Sequence, residues 1–237
     1  MSTPIAAAPR GPVALPDAVR ERAPEAVAVW RNMVGGLTFR DGGRFLKWNP
    51  VGSGASLEAE RERLVWARPH HPVPEVLESA ADAQGELLVT AALPGDGAVS
   101  ERWLAEPRTA VRAIGEGLRA LHDDLPVAEC PYDWSVETRL GAASGEQLGP
   151  APDVECLVVC HGDPCAPNTI IGGDGRWIGH VDFATLGLAD RWADLAVASM
   201  SLDWNYGPGW EPEFFAAYGI APDADRIRFY RELWDAT

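Results

Sequence analysis

Apolar and polar positions alternate through the first third of the chain, take up helical spacing, and then return to short extended runs. That order predicts an α+β protein whose sheet is concentrated in its first part. Residues 29–49 read as a small antiparallel sheet: Leu37-Thr38-Phe39, the step Asp41-Gly42-Gly43, then Phe45-Leu46-Lys47-Trp48. An Asp-Gly-Gly step between alternating runs signals a hairpin, because glycine supplies the positive φ that a tight turn needs. Residues 56–67 predict a helix, with Leu57, Leu64 and Ala67 spaced for one buried face. His71-Pro72-Val73-Pro74 breaks it, since proline cannot continue a helix. Further strands are expected at Val76-Leu77-Glu78 and Leu87-Leu88-Val89-Thr90, joined by the polar turn Asp82-Ala83-Gln84-Gly85.

The second part begins helically. Across residues 109–125, Val111, Ile114, Leu118, Leu121 and Leu125 recur three or four apart, which makes one apolar stripe. Residues 126–152 are rich in glycine and proline and read as irregular. Two short apolar runs, Leu157-Val158-Val159 and Thr169-Ile170-Ile171, then flank the loop His161-Gly162-Asp163-Pro164-Cys165-Ala166-Pro167-Asn168. A ribbon turning at Gly172-Gly173-Asp174-Gly175 leads on to Asp182, and helices are expected over 192–202, 212–218 and 223–234. The pattern divides the chain into domains at 1–93 and 94–237, with 1–25 as a loosely ordered leader.

Composition narrows the function classes. A chain of 237 residues can bury a real core in one large domain or two small lobes. No apolar run approaches the roughly 18 residues that span a bilayer. The first residues lack a basic segment followed by an apolar core, so no secretory signal is expected. Cys130, Cys156, Cys160 and Cys165 form no C-x-x-C pair, and the spacing of Cys156, Cys160, His161 and Cys165 matches no zinc pattern. Free thiols point to a cytoplasmic protein. A net charge of −15 argues against nucleic acid as a partner. It suits a cationic small molecule, although such charge also simply keeps a protein soluble.

Asp163, Asn168 and Asp182 lie on adjoining strand ends and can converge on one point. Asp and Asn oxygens are hard ligands suited to Mg²⁺ beside phosphate oxygens. An aspartate next to them can accept a hydroxyl proton, the division of labour found in phosphoryl transfer. The spacing matches H-x-D-x-x-x-x-N followed by an aspartate after a short hairpin. Two other readings stand beside this one. Asp163 and Asn168 could only shape a turn. The paired H-x-D steps His161/Asp163 and His180/Asp182 could serve a metal-dependent hydrolase.

Residues 161–168 together with residues 180–196, His-Val-Asp-Phe-Ala-Thr-Leu-Gly-Leu-Ala-Asp-Arg-Trp-Ala-Asp-Leu-Ala, resemble the aminoglycoside phosphotransferase family, most closely its 3′-phosphotransferase branch. The resemblance runs from about residue 29 to 234 and includes Trp204-Asn205-Tyr206-Gly207-Pro208-Gly209-Trp210. It implies a two-lobed, protein-kinase-like α+β fold: a small antiparallel-sheet N-lobe with one main helix, a mostly helical C-lobe, and ATP in the cleft. It further implies an ATP- and Mg²⁺-dependent O-phosphotransferase, with GTP not excluded as donor. The acceptor would be a hydroxylated, cationic small molecule such as an aminoglycoside, and the protein a monomer or dimer. A kinase for another natural product or metabolite, or a nucleotide-binding protein without transfer activity, are the alternatives.

Carried over residue by residue, the resemblance makes Asp163 the base and Asn168 and Asp182 the metal ligands. Lys47, the only lysine in the chain, would bind phosphate. Glu60 would orient it, in preference to Glu58 or Glu62. Gly35 and Gly36 would cover the nucleotide, and the hinge against adenine would be Thr90-Ala91-Ala92-Leu93, through backbone groups at Thr90 and Ala92. Asp203, Glu232 and Asp235 would meet a cationic acceptor. The chain departs from the family pattern at Ala166, where many members carry an acid, at Ala184 and Thr185 after the metal aspartate, and between Tyr132 and Val154, which is short.

Overall fold

The computed structural model describes residues 8–9, 11–142 and 148–237. They form two compact units: the described residues up to Arg68 with Pro74–Ala92, and Pro69–Val73 with the described residues of Leu93–Thr237.

The first unit contains α1 (Asp17–Arg22), β1 (Val27–Arg31), β2 (Leu37–Asp41), β3 (Arg44–Pro50), α2 (Leu57–Ala67), β4 (Val76–Ala81) and β5 (Gly85–Ala91). Its five strands lie in the order β1-β2-β3-β5-β4 and every neighbouring pair is antiparallel. The hairpin expected at Asp41-Gly42-Gly43 closes β2 on β3 with Asp41 opposite Arg44, and Gly42 takes the positive φ of +56°. Period-two alternation turns Leu37, Phe39, Leu46, Leu87 and Val89 into one apolar cluster. Val19 and Ala23 pack onto that cluster too, and Val19 is 0 % exposed. The leader expected over 1–25 is therefore corrected: residues 17–22 are a helix held by its buried Val19, and residues 1–7 and 10 lie outside the described residues. Helix α2 starts where Ser56 Oγ accepts from the Ala59 N–H at 3.2 Å, and it buries Leu57, Glu60, Leu64 and Ala67.

The second unit contains β6 (Asp96–Gly97), α3 (Glu101–Ala105), α4 (Pro107–Asp124), α5 (Val136–Ala142), β7 (Leu157–Cys160), β8 (Thr169–Ile171), β9 (Trp177–His180), β10 (Gly187–Asp190), α6 (Trp192–Tyr206), α7 (Glu211–Tyr218) and α8 (Ala224–Ala236). Strands β6-β8-β9 make one small sheet and β10-β7 another. The ribbon turning at residues 172–175 is β8–β9, as the sequence implies. Strand β10 was not foreseen, because Gly-Leu-Ala-Asp carries little strand propensity and is extended by its pairing with β7. Helix α5 lies inside the stretch read as irregular, and residues 143–147 of that stretch lie outside the described residues.

Trp103, Ile114, Leu118, Trp192, Leu195, Phe214, Phe215, Tyr230 and Leu233 form the core of this unit. Gly115 lets α4 approach α7 closely: a Cβ there would stand 2.7 Å from Phe214 O and 2.8 Å from Ala217 Cβ. Gly115→Ala is expected to lower stability by about 1–3 kcal/mol through overpacking. That loss exceeds the helix-propensity gain of at most about 1 kcal/mol. An unchanged urea midpoint would show that the two helices separate without cost.

Candidate active site

Strand β7 delivers the chain to His161, and the loop that follows is clamped at both ends. Asp194, fully buried on α6, accepts the His161 N–H at 2.6 Å on Oδ2 and the Gly162 N–H at 3.0 Å on Oδ1. Its Oδ2 also accepts from His122 Nε2 at 2.9 Å, and His122 Nδ1 meets Tyr218 Oη at 2.8 Å. At the far end Ser201 Oγ accepts the Ala166 N–H at 2.9 Å, and Asn205 Nδ2 donates to that same Ser201 Oγ at 3.2 Å. Gly162 has φ +83°, and a Cβ on it would stand 2.2 Å from Thr185 O, so glycine is required.

Inside the clamp the polar groups lock to one another. The Asp163 N–H donates to His161 Nδ1 at 3.3 Å while His161 Nε2 donates to Val181 O at 3.0 Å, which fixes the ring as a neutral orienting group. Asn168 Nδ2 donates to Asp163 O at 2.8 Å, and Asn168 O accepts the Val181 N–H at 3.0 Å. The 161–168 loop and the entry to Asp182 are therefore one hydrogen-bonded structure. Asp182 has φ +68° and is the only non-glycine residue with positive φ among the described residues, a strained conformation of the kind that collects at functional sites.

Asp163 carries the electrostatic signature of a base. Burial, and then the negative charge of Asp182, push its carboxyl above the ordinary aspartate value of 3.8, while Cys165 opposes the shift with its thiol and backbone N–H. Its Oδ1 is shut off from water and has no hydrogen-bond partner. An acceptor left in that state is costly and favours taking up a proton. Burial and the same carboxylate push the Cys165 thiol far up, so it stays protonated as a donor.

In the first unit Lys47 Nζ pairs with Glu60 Oε1 at 2.6 Å, and Glu60 is 3 % exposed. The choice of Glu60 over its neighbours follows from the helix period, because Glu58 instead pairs with Arg61. The loop carrying Gly35 and Gly36 is shaped by Asn32, whose Oδ1 accepts the Gly36 N–H at 2.6 Å and the Val34 N–H at 3.2 Å. The hinge positions are narrower than expected. Thr90 sits in the ladder opposite Phe45 and Val76. The Ala92 N–H is given to Gly43 O at 2.8 Å, so Ala92 keeps only its carbonyl to offer a ligand.

The acceptor-side candidates lie on two helices of the second unit. Asp203, on the last turn of α6, and Glu232 and Asp235, on α8, are all exposed, and no hydrogen bond or ion pair among the described residues joins them to the 161–168 loop. In the H-x-D pair, His180 turns its Nδ1 to His71 Nε2 at 2.9 Å, and its Nε2 is buried without a hydrogen-bond partner. Among the described residues the one group of three clustered metal-ligand types is His122, Cys160 and Asp194, and their His122 and Asp194 atoms are engaged in clamping the loop. Sequence reasoning missed His71 and Ser201, which carry no motif and act through partners far away in the chain.

The protein matches the family model described as "Phosphotransferase enzyme family" over residues 37–148 and 147–230. It is 36% identical over 218 residues to an aminoglycoside 3′-phosphotransferase of Streptomyces fradiae, covering 78% of this chain and 81% of the relative. It is 33% identical to a streptomycin 3″-kinase of Streptomyces griseus, covering 87% and 90%. The structure of aminoglycoside phosphotransferase APH(3″)-Id from Streptomyces rimosus, in complex with ADP and streptomycin, superposes with a TM-score of 0.73 at 29% identity, covering 92% of this chain and 96% of that one. The α+β, kinase-like fold class expected from the sequence is the class the protein has.

Proposed function

This chain belongs to the phosphotransferase enzyme family, and from that membership we propose that it transfers the γ-phosphoryl group of ATP to a hydroxyl of an aminoglycoside. The observation that carries the reading is the clamped loop, with a proton-seeking Asp163 locked to Asn168 and leading into Asp182. The relative's complex with ADP and streptomycin supports the nucleotide and the substrate class.

In this reading Asp163 takes the proton of the acceptor hydroxyl. That oxygen bonds to the γ-phosphorus as the bond from phosphorus to the β–γ bridging oxygen breaks, and ADP leaves. Asn168 and Asp182 would hold Mg²⁺, and their chemistry fits: Asn168 spends its Nδ2 on Asp163 O, which leaves Oδ1 as a hard oxygen ligand beside a carboxylate. When bound, the ion neutralises phosphate charge. Lys47, held by Glu60, would meet the phosphates, and the Gly35–Gly36 loop would cover them. Asp203, Glu232 and Asp235 would face the ammonium groups of the drug, in line with a net charge of −15. Four free cysteines, and no helix among the described residues long and apolar enough to cross a membrane, support a cytoplasmic enzyme.

The test is ADP release coupled to an indicator reaction, with ATP or GTP and Mg²⁺, across aminoglycosides, a tuberactinomycin peptide, a macrolide and a nucleoside. Stimulation by an aminoglycoside is the expected result. Stimulation only by another class would move the acceptor, and nucleotide binding without release would leave a binding protein. In the same assay Lys47→Ala is expected to lower kcat/KM by about 10²-fold or more, the usual scale for losing a preorganised cation or donor on developing charge. An activity equal to wild type would remove Lys47 from the phosphate site.

A further inference from the structure

His71, read from sequence only as part of a helix-breaking step, packs with the second unit and meets β9 there. Its Nδ1 lies 2.9 Å from Asp124 Oδ2, and its Nε2 lies 2.9 Å from His180 Nδ1. Asp124 can only accept, so His71 carries its proton on Nδ1. A neutral His71 then accepts on Nε2, and His180 must be the Nδ1–H tautomer. Burial holds the His71 imidazole below its usual range in spite of the Asp124 carboxylate, which keeps it neutral. Trp177 stacks on His71 at 5.5 Å with the planes 7° apart, so the ring is fixed from its face as well.

The next residue adds a second grip. Pro72 O accepts the His180 N–H at 3.2 Å, and Gly179 makes room, since a Cβ on it would stand 2.6 Å from that oxygen. His71 and Pro72 thus hold His180 by ring and by backbone. Val181 is held by Asn168 O and by His161 Nε2, and Asp182 follows at φ +68°. An L-residue stays at such a φ only where its surroundings over-determine it, and these contacts supply that constraint.

We propose that His71, oriented by Asp124, is a positioning residue for Asp182: through His180 it fixes the end of β9, so that the Asp182 carboxylate is presented for the nucleotide's divalent cation. The inference rests on the phosphotransferase reading and extends it to residues outside every motif of the loop.

The experiment measures nucleotide binding rather than turnover. The full chain, as wild type, His71→Ala, His71→Gln and Asp124→Ala, is titrated calorimetrically with ADP in EDTA and at graded Mg²⁺, with circular dichroism checking the fold. His71→Ala is expected to need about tenfold more Mg²⁺ for half-maximal enhancement of binding, the scale of outer-sphere effects on metal affinity, with binding in EDTA unchanged. His71→Gln should restore most of the loss, because its amide offers a donor and an acceptor on neighbouring atoms as the imidazole does. Asp124→Ala should fall between, and ¹⁵N spectra of the histidines should lose the single Nδ1–H tautomer at His71. If His71→Ala does not fold, His71→Gln and Asp124→Ala carry the same comparison. An unchanged Mg²⁺ requirement, an equal loss with and without Mg²⁺, or no rescue by Gln would overturn the proposal alone. A wild type whose ADP binding ignores Mg²⁺ would overturn the phosphotransferase reading, and this inference with it.

Discussion

Asp163→Asn is expected to stop phosphoryl transfer and, at neutral pH, to make the protein more heat-stable. The loss of a positioned base costs about 10²–10⁴-fold in kcat, while nucleotide binding, which does not use Asp163, should persist. The gain in stability follows from the direction of the pKa shift. Burial and the Asp182 charge raise the Asp163 carboxyl above 3.8 in the folded protein. The folded state therefore binds more protons than the unfolded chain between 3.8 and the raised value, and stability falls as pH rises through that window. Above it the ionised Asp163 is a standing cost, which a neutral amide removes. Below 3.8 both states are protonated and the advantage of asparagine should vanish. Melting temperatures of the two proteins at pH 7 and at the acid limit, read beside turnover, check both halves. Equal melting temperatures at pH 7 would mean that the charge is not penalised by its surroundings. Near-normal turnover would remove Asp163 from the chemistry. The same shift predicts that kcat/KM of the wild type falls on acidification at a higher pH than an ordinary aspartate would give.

What could be read from the chain was the chemistry carried by local spacing. Asp163, Asn168 and Asp182 fall at fixed offsets on one loop and the ribbon after it, and Lys47, implied by the family resemblance, lies on the strand after the hairpin turn Asp41-Gly42-Gly43. Glu60 was separable from Glu58 and Glu62 because only it shares the buried face with Leu57 and Leu64. The parts that escaped depend on partners distant in sequence. His71 reaches Asp124 across 53 residues and His180 across 109, and nothing near it in the chain announces either. Helix α1 hides in a proline- and alanine-rich segment because only burial of Val19 and Ala23 against the sheet makes it pay. Backbone roles are also poorly written: Ala92 looked like a free hinge amide until Gly43 O was found on it. The acceptor side is weak for a different reason. Solvated carboxylates such as Asp203, Glu232 and Asp235 have few neighbours, and a ligand rather than the fold would bring them to one purpose.

Asp194→Ala is expected to cost about 3–5 kcal/mol of stability, the usual effect of breaking one side of a buried charged hydrogen-bond set, and to abolish activity in whatever fraction still folds. Three donors converge on this carboxylate: the N–H groups of His161 and Gly162 and the Nε2 of His122. None has a route to water, since His161, Gly162 and His122 are buried, and each orphaned donor costs about 1–3 kcal/mol. Against a total stability of about 5–15 kcal/mol that is a large share. Asp194→Asn separates the two effects. Its one oxygen can keep the two donors now on Oδ2, while its NH₂ must face the Gly162 N–H, so part of the stability returns but the His161–Gly162 turn cannot keep its shape. Activity should therefore stay lost in the asparagine variant even where its melting temperature recovers. Recovery of both together would mean that Asp194 supports the fold without setting the loop. Because Gly162 packs on Thr185 O and His161 donates to Val181 O, a shift of this turn moves Asp163 and the approach to Asp182 at once. The clamp thus couples the proposed base to the proposed metal ligand, and a residue that touches neither substrate should rank with Asp163 in its effect on turnover.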